Sequence, residues 1–260
     1  MASVDPRQSY ASIVISGMQQ AVNQGEARVL DLLAVELESK ANDLKDQMGD
    51  QFYSTGTGNN SKEITGLLAA VDDNTDVTTY QGLSRATFTN WRGTRTAQSG
   101  ALTVANLYTD FNSAQIGQDA PSVVLTTPAI FRFYEALLDD NVRYSISFAG
   151  YDQITGQGVA KGGANLAAGV GFNSLYIRGI PFVADEKCTA DNAFFVNEKH
   201  LWFYTFGKHP VHGAASKHGF FWTGLKEPVN QDGSVGQLLW YGNLAGDSPR
   251  THTRRTGITS

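Results

Sequence analysis

The stretch SVVLTTPAIFRFYEALL (Ser122–Leu138) carries the strongest structural signal in this sequence of 260 residues. Its valine-rich start, Ser122–Leu125, favours a short buried strand. Thr127 is a typical N-cap residue, and Pro128 suits the first position of a helix. The apolar residues that follow recur at helical spacing, at Ile130, Phe131, Tyr134, Leu137 and Leu138. The stretch therefore predicts a strand that leads directly into an amphipathic helix.

A longer helix is predicted upstream, between Val22 and Phe52. Asn23 followed by Glu26 fits a capped helix start, and the turn-forming residues Ser54–Asn60 fit its end. The apolar positions step by three and four through Leu30, Leu33, Leu37, Ala41, Leu44 and Met48. This seam spans only about four heptads, so we expect the helix to pack on a sheet of the same chain, with a coiled-coil strand as the alternative.

The remaining pattern predicts an α+β fold, with more helix early and more strand late. Gln8–Ser16 is β-branched and alternating and predicts a strand, and Thr103–Ile116 has helical spacing. The glycine- and alanine-rich Gly156–Gly171 is interpreted as a long flexible loop. Six later strands are predicted at Ser174–Ile177, Ile180–Ala184, Ala193–Asn197, Leu201–Phe206, Gly219–Thr223 and Gln237–Tyr241. The aromatic residues between Phe194 and Trp222 are interpreted as core.

Composition narrows the possible functions. The single cysteine, Cys188, excludes an intramolecular disulfide and a multi-cysteine zinc site. The net charge of −5 argues against a protein whose main task is to grip nucleic-acid phosphates. The longest apolar runs, such as Leu201–Phe206, fall far short of the roughly 20 residues of a membrane-spanning helix, and no signal peptide is evident. We therefore expect a soluble protein made in the cytoplasm.

The histidines offer the best case for an enzyme, although a weak one. His209, His212 and His218 are close enough in sequence to share a metal ion. Lys208 and Lys217 flank them and no acidic residue lies nearby, which disfavours a cation, so solvated loop histidines are the favoured interpretation. A metal-dependent enzyme that uses these three histidines remains the least favoured alternative.

Other catalytic patterns are weaker still. Cys188 with His200 would form a nucleophile and base, but the surrounding residues carry no catalytic signature. The glycine-rich segments Gly56–Lys62 and Gly156–Gly162 match neither the phosphate-loop nor the dinucleotide-binding spacing. We therefore predict no catalytic residue, no metal ligand and no cofactor site.

Several segments, taken in order, resemble the major capsid protein of tailed bacteriophages. Beside Ser122–Leu138 they are Ser16-Gly17, GEARVLDLL (Gly25–Leu33), ITGL (Ile64–Leu67), GLSRATFTNWR (Gly82–Arg92), GFNSLYIRGIPFVAD (Gly171–Asp185) and AFFVNEKHLW (Ala193–Trp202). Each segment alone is weak, but their order and spacing together are specific. The resemblance covers roughly Ser9 to Gly246.

The resemblance implies the Hong Kong 97-type capsid fold, with a long spine helix, a peripheral domain and an axial domain. On this basis residues 1–20 are the remnant of an extended loop, and residues 21–116 are the peripheral domain with the spine helix. Residues 117–225 form the axial domain, and residues 226–260 hold a return strand and a basic tail. On this resemblance, the family's N-terminal arm and first extended-loop strand are missing here, because of proteolytic maturation, a genuinely short chain or truncation. In the family these segments lace neighbouring subunits together, so we expect their absence to weaken self-assembly.

The function that the resemblance implies is that of a structural head subunit. Many copies would form pentamers and hexamers and an icosahedral shell around double-stranded DNA, which is bound without sequence specificity. Scaffold, portal and decoration proteins are further expected partners, and no membrane is involved. We expect the protein in the virion capsid, assembled in the cytoplasm of the host bacterium. An encapsulin-like compartment is the alternative within the same fold.

The basic tail Arg250–Arg255 is the one segment with a candidate contact role. Arg250, Arg254 and Arg255 would touch DNA or an acidic face of a neighbouring subunit. A solvated chain end is the other interpretation.

Overall fold

The computed structural model describes residues 2–22, 32–98, 100–139, 174–209, 215–216 and 218–259. The predicted N-cap Asn23 and the predicted loop Gly156–Gly171 lie outside these residues. The chain forms two compact units. Unit 1 comprises Met1–Ala69 and Phe203–Ala245, and unit 2 comprises Ala70–Trp202 and Gly246–Ser260. The domain boundaries implied by the resemblance, after residues 20, 116 and 225, stay a prediction.

The helices and strands of the described residues follow in chain order. They are β1 (Arg7–Ser16), α1 (Gly17–Val22), α2 (Leu32–Phe52), α3 (Gly58–Ser61), α4 (Leu67–Ala70), β2 (Thr79–Tyr80), β3 (Leu83–Ser84), β4 (Thr94–Ala97), α5 (Val104–Ala114), β5 (Val123–Thr126), α6 (Pro128–Asp139), β6 (Ser174–Ile177), β7 (Ile180–Ala184), β8 (Ala193–Val196), β9 (Leu201–Thr205), β10 (Phe220–Trp222), β11 (Gly233–Gly246) and β12 (Thr253–Thr256). Three short 3₁₀ turns lie at Thr89–Trp91, Glu198–His200 and Pro249–Thr251.

Unit 1 is built on the long strand β11. β1 runs antiparallel to β11 over ten residue pairs, from Arg7 opposite Gly242 to Ser16 opposite Gly233. β10 pairs with the middle of β11, and β9 also pairs with β11. Helix α2 packs against β1, and its seam residue Leu44 is 1% exposed. The prediction that the long helix packs on a sheet of the same chain is therefore confirmed.

Unit 2 is built on a six-stranded sheet with the order β4-β12-β8-β5-β7-β6. β12 runs parallel to β4 and antiparallel to β8, and β5 runs parallel to β7. Helix α5 packs against β12 and α6 packs against β7. The core between these helices and the sheet contains Leu102, Leu107, Phe111, Ala114, Val124, Ile130, Tyr134, Ile177, Phe182, Ala193, Phe195 and Ile258. The stretch Ser122–Leu138 thus supplies the centre of the unit, as β5 and α6.

Two predicted features need correction. β11 has 14 residues, much longer than the predicted Gln237–Tyr241, because its glycines and asparagine continue the strand where the sequence suggested turns. Strands β4 and β12 were missed, since TRTA and TRRT show no apolar alternation. The supposed basic tail therefore contains a strand of the unit 2 sheet.

Candidate functional surfaces and a buried ion network

Strand β9 of unit 1 presents aromatic side chains to solvent. Phe203 and Tyr204 of β9 and Phe206 just after it, here called the aromatic strand, are 47%, 52% and 39% exposed. Phe203 stacks on Phe52 with ring centroids 5.6 Å apart and meets Trp240 edge-on at 6.4 Å. These contacts hold the strand in place while much of its apolar area stays accessible. The prediction that the aromatic run is core is therefore wrong for these three residues.

A second exposed apolar feature follows β1 and α1 in unit 1. Tyr10, Val14, Met18 and Val22, here called the apolar row, recur every fourth residue and are 62%, 60%, 73% and 78% exposed. Along β1 the alternation of the pleat turns Ile13 and Ile15 inward and leaves Tyr10 and Val14 outside. Four large apolar side chains are therefore exposed along β1 and α1.

A groove of about 860 Å³ lies beside β10 and β11 in unit 1. Its lining includes Gln8, His209, Lys226 and Tyr241. His209 is 5% exposed, and its ring packs edge-on against Phe221 and Tyr241 at 5.2 and 5.5 Å. His209 is thus a core histidine and not the solvated loop residue that the sequence suggested.

The metal-site alternative gains no support from the described residues. His209 is enclosed by aromatic rings, His218 is exposed, and His212 lies outside the described part of the chain. No three histidine, cysteine, aspartate or glutamate residues of the described ranges lie close enough together to hold a metal ion.

The proposed cysteine–histidine pair does not form either. The buried Sγ of Cys188 lies 3.9 Å from the carbonyl oxygen of Asn192, and burial, with a smaller contribution from Asp185, raises the thiol pKa to about 12. His200 instead lies 2.7 Å from a carboxylate oxygen of Asp247. A thiol of this kind is protonated at neutral pH and is a poor nucleophile.

Unit 2 contains a buried network of ion pairs around Asp72. This carboxylate is fully buried and accepts backbone N–H bonds from Asn74, Asp76 and Val77. The guanidinium groups of Arg85 and Arg254 lie 3.8 and 3.3 Å from it. Burial lowers the pKa of Arg85, while Asp72 acts to raise it. The network ties the loop after α4 to strand β12.

A second buried pair joins β12 to α5. Arg255 donates from Nη2 to Oδ1 of Asp110 at 2.9 Å and from Nε to the other carboxylate oxygen. Asp110 is fully buried and Arg255 is 4% exposed. Burial raises the pKa of Asp110, although the hydrogen bond from Arg255 acts in the opposite direction.

These pairs correct the prediction for the basic tail. Arg254 and Arg255 are buried inside unit 2, where their charges are already paired, so they are unable to contact DNA or a neighbouring subunit. Arg250, on the 3₁₀ turn Pro249–Thr251, is exposed. The predicted contact role stays open for Arg250 alone. Arg254 is buried against Asp72 and Asp76, and Arg255 against Asp110, all of which lie far from the arginines in the sequence.

Comparison with solved structures identifies the fold. A capsid asymmetric unit of cyanophage A-1(L) matches with a TM-score of 0.66 and 17% identity, over 98% of this chain and 78% of that chain. The holo-SrpI encapsulin complex of Synechococcus elongatus PCC 7942 matches with a TM-score of 0.63 and 10% identity, over 97% and 74% of the two chains. The capsid of Myoviridae phage XM1 matches with a TM-score of 0.54 and 9% identity, over 97% and 74%.

The chain has the Hong Kong 97-type fold. This confirms the predicted α+β class and the predicted architecture. No protein-family profile and no curated protein sequence gives a significant match. The similarity is therefore detected by comparing structures, although the sequence identity is 17% or below in these three matches.

Within this Hong Kong 97-type fold the two units differ in character. Unit 1 exposes the aromatic strand and the apolar row, whereas unit 2 encloses fully buried ion pairs. No helix among the described residues is both long and apolar enough to cross a membrane. In the described residues, large apolar side chains are thus exposed on unit 1, and ion pairs are buried in unit 2.

Proposed function

We propose that this chain is the major structural subunit of a bacteriophage-type capsid, and that many copies form an icosahedral shell. The observation that carries the proposal is the fold shared with the capsid proteins of cyanophage A-1(L) and phage XM1 over at least 97% of the chain. The role is structural and non-enzymatic, with no catalytic residue, metal or cofactor.

The exposed apolar surfaces of unit 1 support this role. In a shell, the aromatic strand and the apolar row would be covered by neighbouring subunits in pentamers and hexamers. Each contact needs to contribute only a few kcal/mol, because closure of a symmetric shell combines many weak interfaces. This explains why large apolar side chains remain exposed on an isolated chain.

The proposal also covers what the shell would contain and which other proteins would bind the subunit. The shell would enclose double-stranded DNA without sequence-specific binding, which suits a net charge of −5. Arg250 would contact the DNA or an acidic face of the next subunit. Scaffold, portal and decoration proteins are the further expected partners. Assembly would take place in the host bacterial cytoplasm, and the product would be the virion capsid.

We assign the domains on the same basis. Residues 21–116 would be the peripheral domain with the spine helix α2, and residues 117–225 the axial domain that points to the centre of the capsomer. Residues 1–20 would belong to the extended loop. Residues 226–260 would return to the peripheral domain through β11 and would include β12.

An encapsulin-like compartment is the second candidate. It is favoured by the match to the SrpI encapsulin complex, whose TM-score of 0.63 is close to the 0.66 of the cyanophage capsid. Such a compartment would enclose a protein cargo in place of DNA.

Assembly is tested by light scattering coupled to size exclusion, followed by negative-stain electron microscopy of any large fraction. We expect capsomers or shells. Tyr204→Asp places a charge on the aromatic strand and should abolish the large fraction, whereas the control Tyr204→Phe keeps the apolar ring and should preserve it. If the chain remains a monomer at every concentration and with every co-expressed scaffold candidate, the proposal is wrong.

The contents of the particles decide between the two candidates. Particles purified from the native host are treated with nuclease and then opened. Protected double-stranded DNA supports the capsid, while a second protein species enclosed with the shell protein, without DNA, supports the compartment.

A further inference from the structure

His252 occupies a central position in unit 2, directly before strand β12. Its backbone N–H donates to the carbonyl of Pro249 at 3.1 Å, and its carbonyl accepts from Thr94 at 3.1 Å. The residue is 1% exposed. The next residue, Thr253, pairs with Thr94 of β4 and with Phe195 of β8. His252 therefore lies where β12 enters the sheet.

The hydrogen bond of the imidazole fixes its protonation state. Nδ1 accepts the backbone N–H of Asn197 at 3.1 Å. A nitrogen that accepts a hydrogen bond carries no proton, so the ring is neutral with its proton on Nε2. Asn197 follows the last residue of β8 and is itself 1% exposed. The bond thus connects the entry of β12 to the end of β8.

We propose that His252 is an acid-sensitive catch for the carboxy-terminal strand: protonation of its imidazole removes the acceptor for Asn197 and releases β12 from β8 and β4. In the protonated ring, the N–H at Nδ1 would face the backbone N–H of Asn197. The ring would also carry a positive charge in a site closed to water. Both effects disappear when β12 opens and the ring reaches solvent.

The charges around the ring support this direction. Burial lowers the pKa of His252 to about 4, and the imidazole of His200 adds to this effect, while a hydrogen bond to the backbone of His200 and the charge of Asp247 act in the opposite direction. The charged and titratable side chains on the packed elements are Arg95 of β4, Asp110 of α5, and Glu198, Lys199 and His200 of the turn after β8. On the segment itself they are Asp247, Arg250, Arg254 and Arg255. Burial raises the pKa of Asp110, so its protonation favours the closed state and opposes the catch.

The sign of the response follows from linkage. A histidine pKa lowered from 6.5 to about 4 in the closed state stabilises that state above pH 6.5, and this stabilisation is lost as the pH falls towards 4. Between these values each pH unit raises the opening constant of β12 nearly tenfold, which gives an increase of about 20-fold between pH 7 and pH 5.

Hydrogen exchange measured by mass spectrometry on the full chain tests the catch without any need for assembly. Exchange of peptides that cover 249–259 is corrected for the intrinsic rate at each pH and compared with a peptide that covers β6 and β7 in the same sheet. We expect the protection of β12 to fall about 20-fold between pH 7 and pH 5 relative to this reference. An unchanged ratio would overturn the proposal.

Three variants assign the response. His252→Asn keeps a hydrogen-bond acceptor near the position of Nδ1 but does not titrate, so β12 should stay protected at pH 5. His218→Asn, at an exposed histidine, should respond like the wild type. The assignment to His252 is wrong if the fall in β12 protection at pH 5 persists in His252→Asn. It is also wrong if this fall disappears in His200→Asn but not in His252→Asn.

A second measurement covers the case in which His252→Asn fails to fold. ¹⁵N NMR of the wild-type imidazole at pH 7 should show a neutral ring with its proton on Nε2. A doubly protonated His252 at this pH would refute the catch.

Discussion

Replacing Arg255 with methionine is the sharpest test of the buried ion network. Arg255 is 4% exposed and binds both carboxylate oxygens of the fully buried Asp110, and it also donates to Gln98 and to the carbonyl of Asn106. Arg255→Met keeps most of the side-chain volume but leaves Asp110 as a buried charge without its cation. Loss of one partner of a buried pair costs about 3–5 kcal/mol of unfolding free energy.

The pH dependence gives this prediction a sign. Burial already raises the pKa of Asp110, and Arg255 counteracts this. Without Arg255 the pKa rises further, so the folded variant binds a proton more tightly than the unfolded chain does. Its stability therefore improves as the pH falls towards the raised pKa, and the deficit relative to the wild type should be smaller at pH 5 than at pH 7.

The assay is urea unfolding followed by far-UV circular dichroism at both pH values. Lys40→Met is the control, because its ion pair with Asp43 is exposed, at 38% and 62%, and should contribute at most about 1 kcal/mol. The double variant Arg255→Met with Asp110→Asn should recover much of the loss. Equal losses in Arg255→Met and Lys40→Met, or a deficit that grows at pH 5, would refute the reasoning.

Three further predictions concern single sites. Thr103→Ala removes the side-chain acceptor for the Asn106 N–H at the start of α5 and should cost about 1 kcal/mol in urea unfolding, whereas the exposed mid-helix control Thr109→Ala should cost less than about 0.5. Gly66→Ala would force a methyl group against the backbone carbonyls of Gln51 and Phe52 and should lower stability by at least about 2 kcal/mol. Cys188, with its pKa raised to about 12, should resist maleimide at pH 7 in the native protein and react in denaturant; fast native labelling would contradict its burial.

Local signals explain which elements could be predicted from the sequence. Thr127 and Pro128 mark the start of α6 because capping depends only on neighbouring residues. Strands β6 and β7 begin and end where their β-branched and aromatic residues predicted. Each of these elements carries its own signal within a few residues, independent of the rest of the chain.

The missed features depend on residues far apart in the sequence. Arg254 resembles a solvated tail residue until Asp72, 182 positions away, lies beside it. His209 resembles a loop histidine until the rings of Phe221 and Tyr241 enclose it. For the same reason the sequence predicted a core at β9, where hydrophobicity alone does not tell which aromatic side chains the sheet leaves outside. The type of a residue predicts its average burial. Whether an individual residue is buried depends on which distant residues of the chain pack against it.

The position of β12 has a consequence for how unit 2 folds. β12 follows the other strands of unit 2 along the chain, yet it lies between β4 and β8 inside the sheet and supplies one arginine for Asp72 and the arginine for Asp110. Until β12 is in place, β4 lacks its sheet partner, the fully buried Asp110 lacks its arginine, and Asp72 keeps only Arg85 of its two arginines. Because an unpaired buried charge strongly disfavours the folded structure, unit 2 is expected to complete its fold only after β12 has emerged. A chain that ends at Ser248 should therefore expose the core of unit 2 and bind a hydrophobic dye, while the same deletion should leave the pairing of β1 with β11 intact.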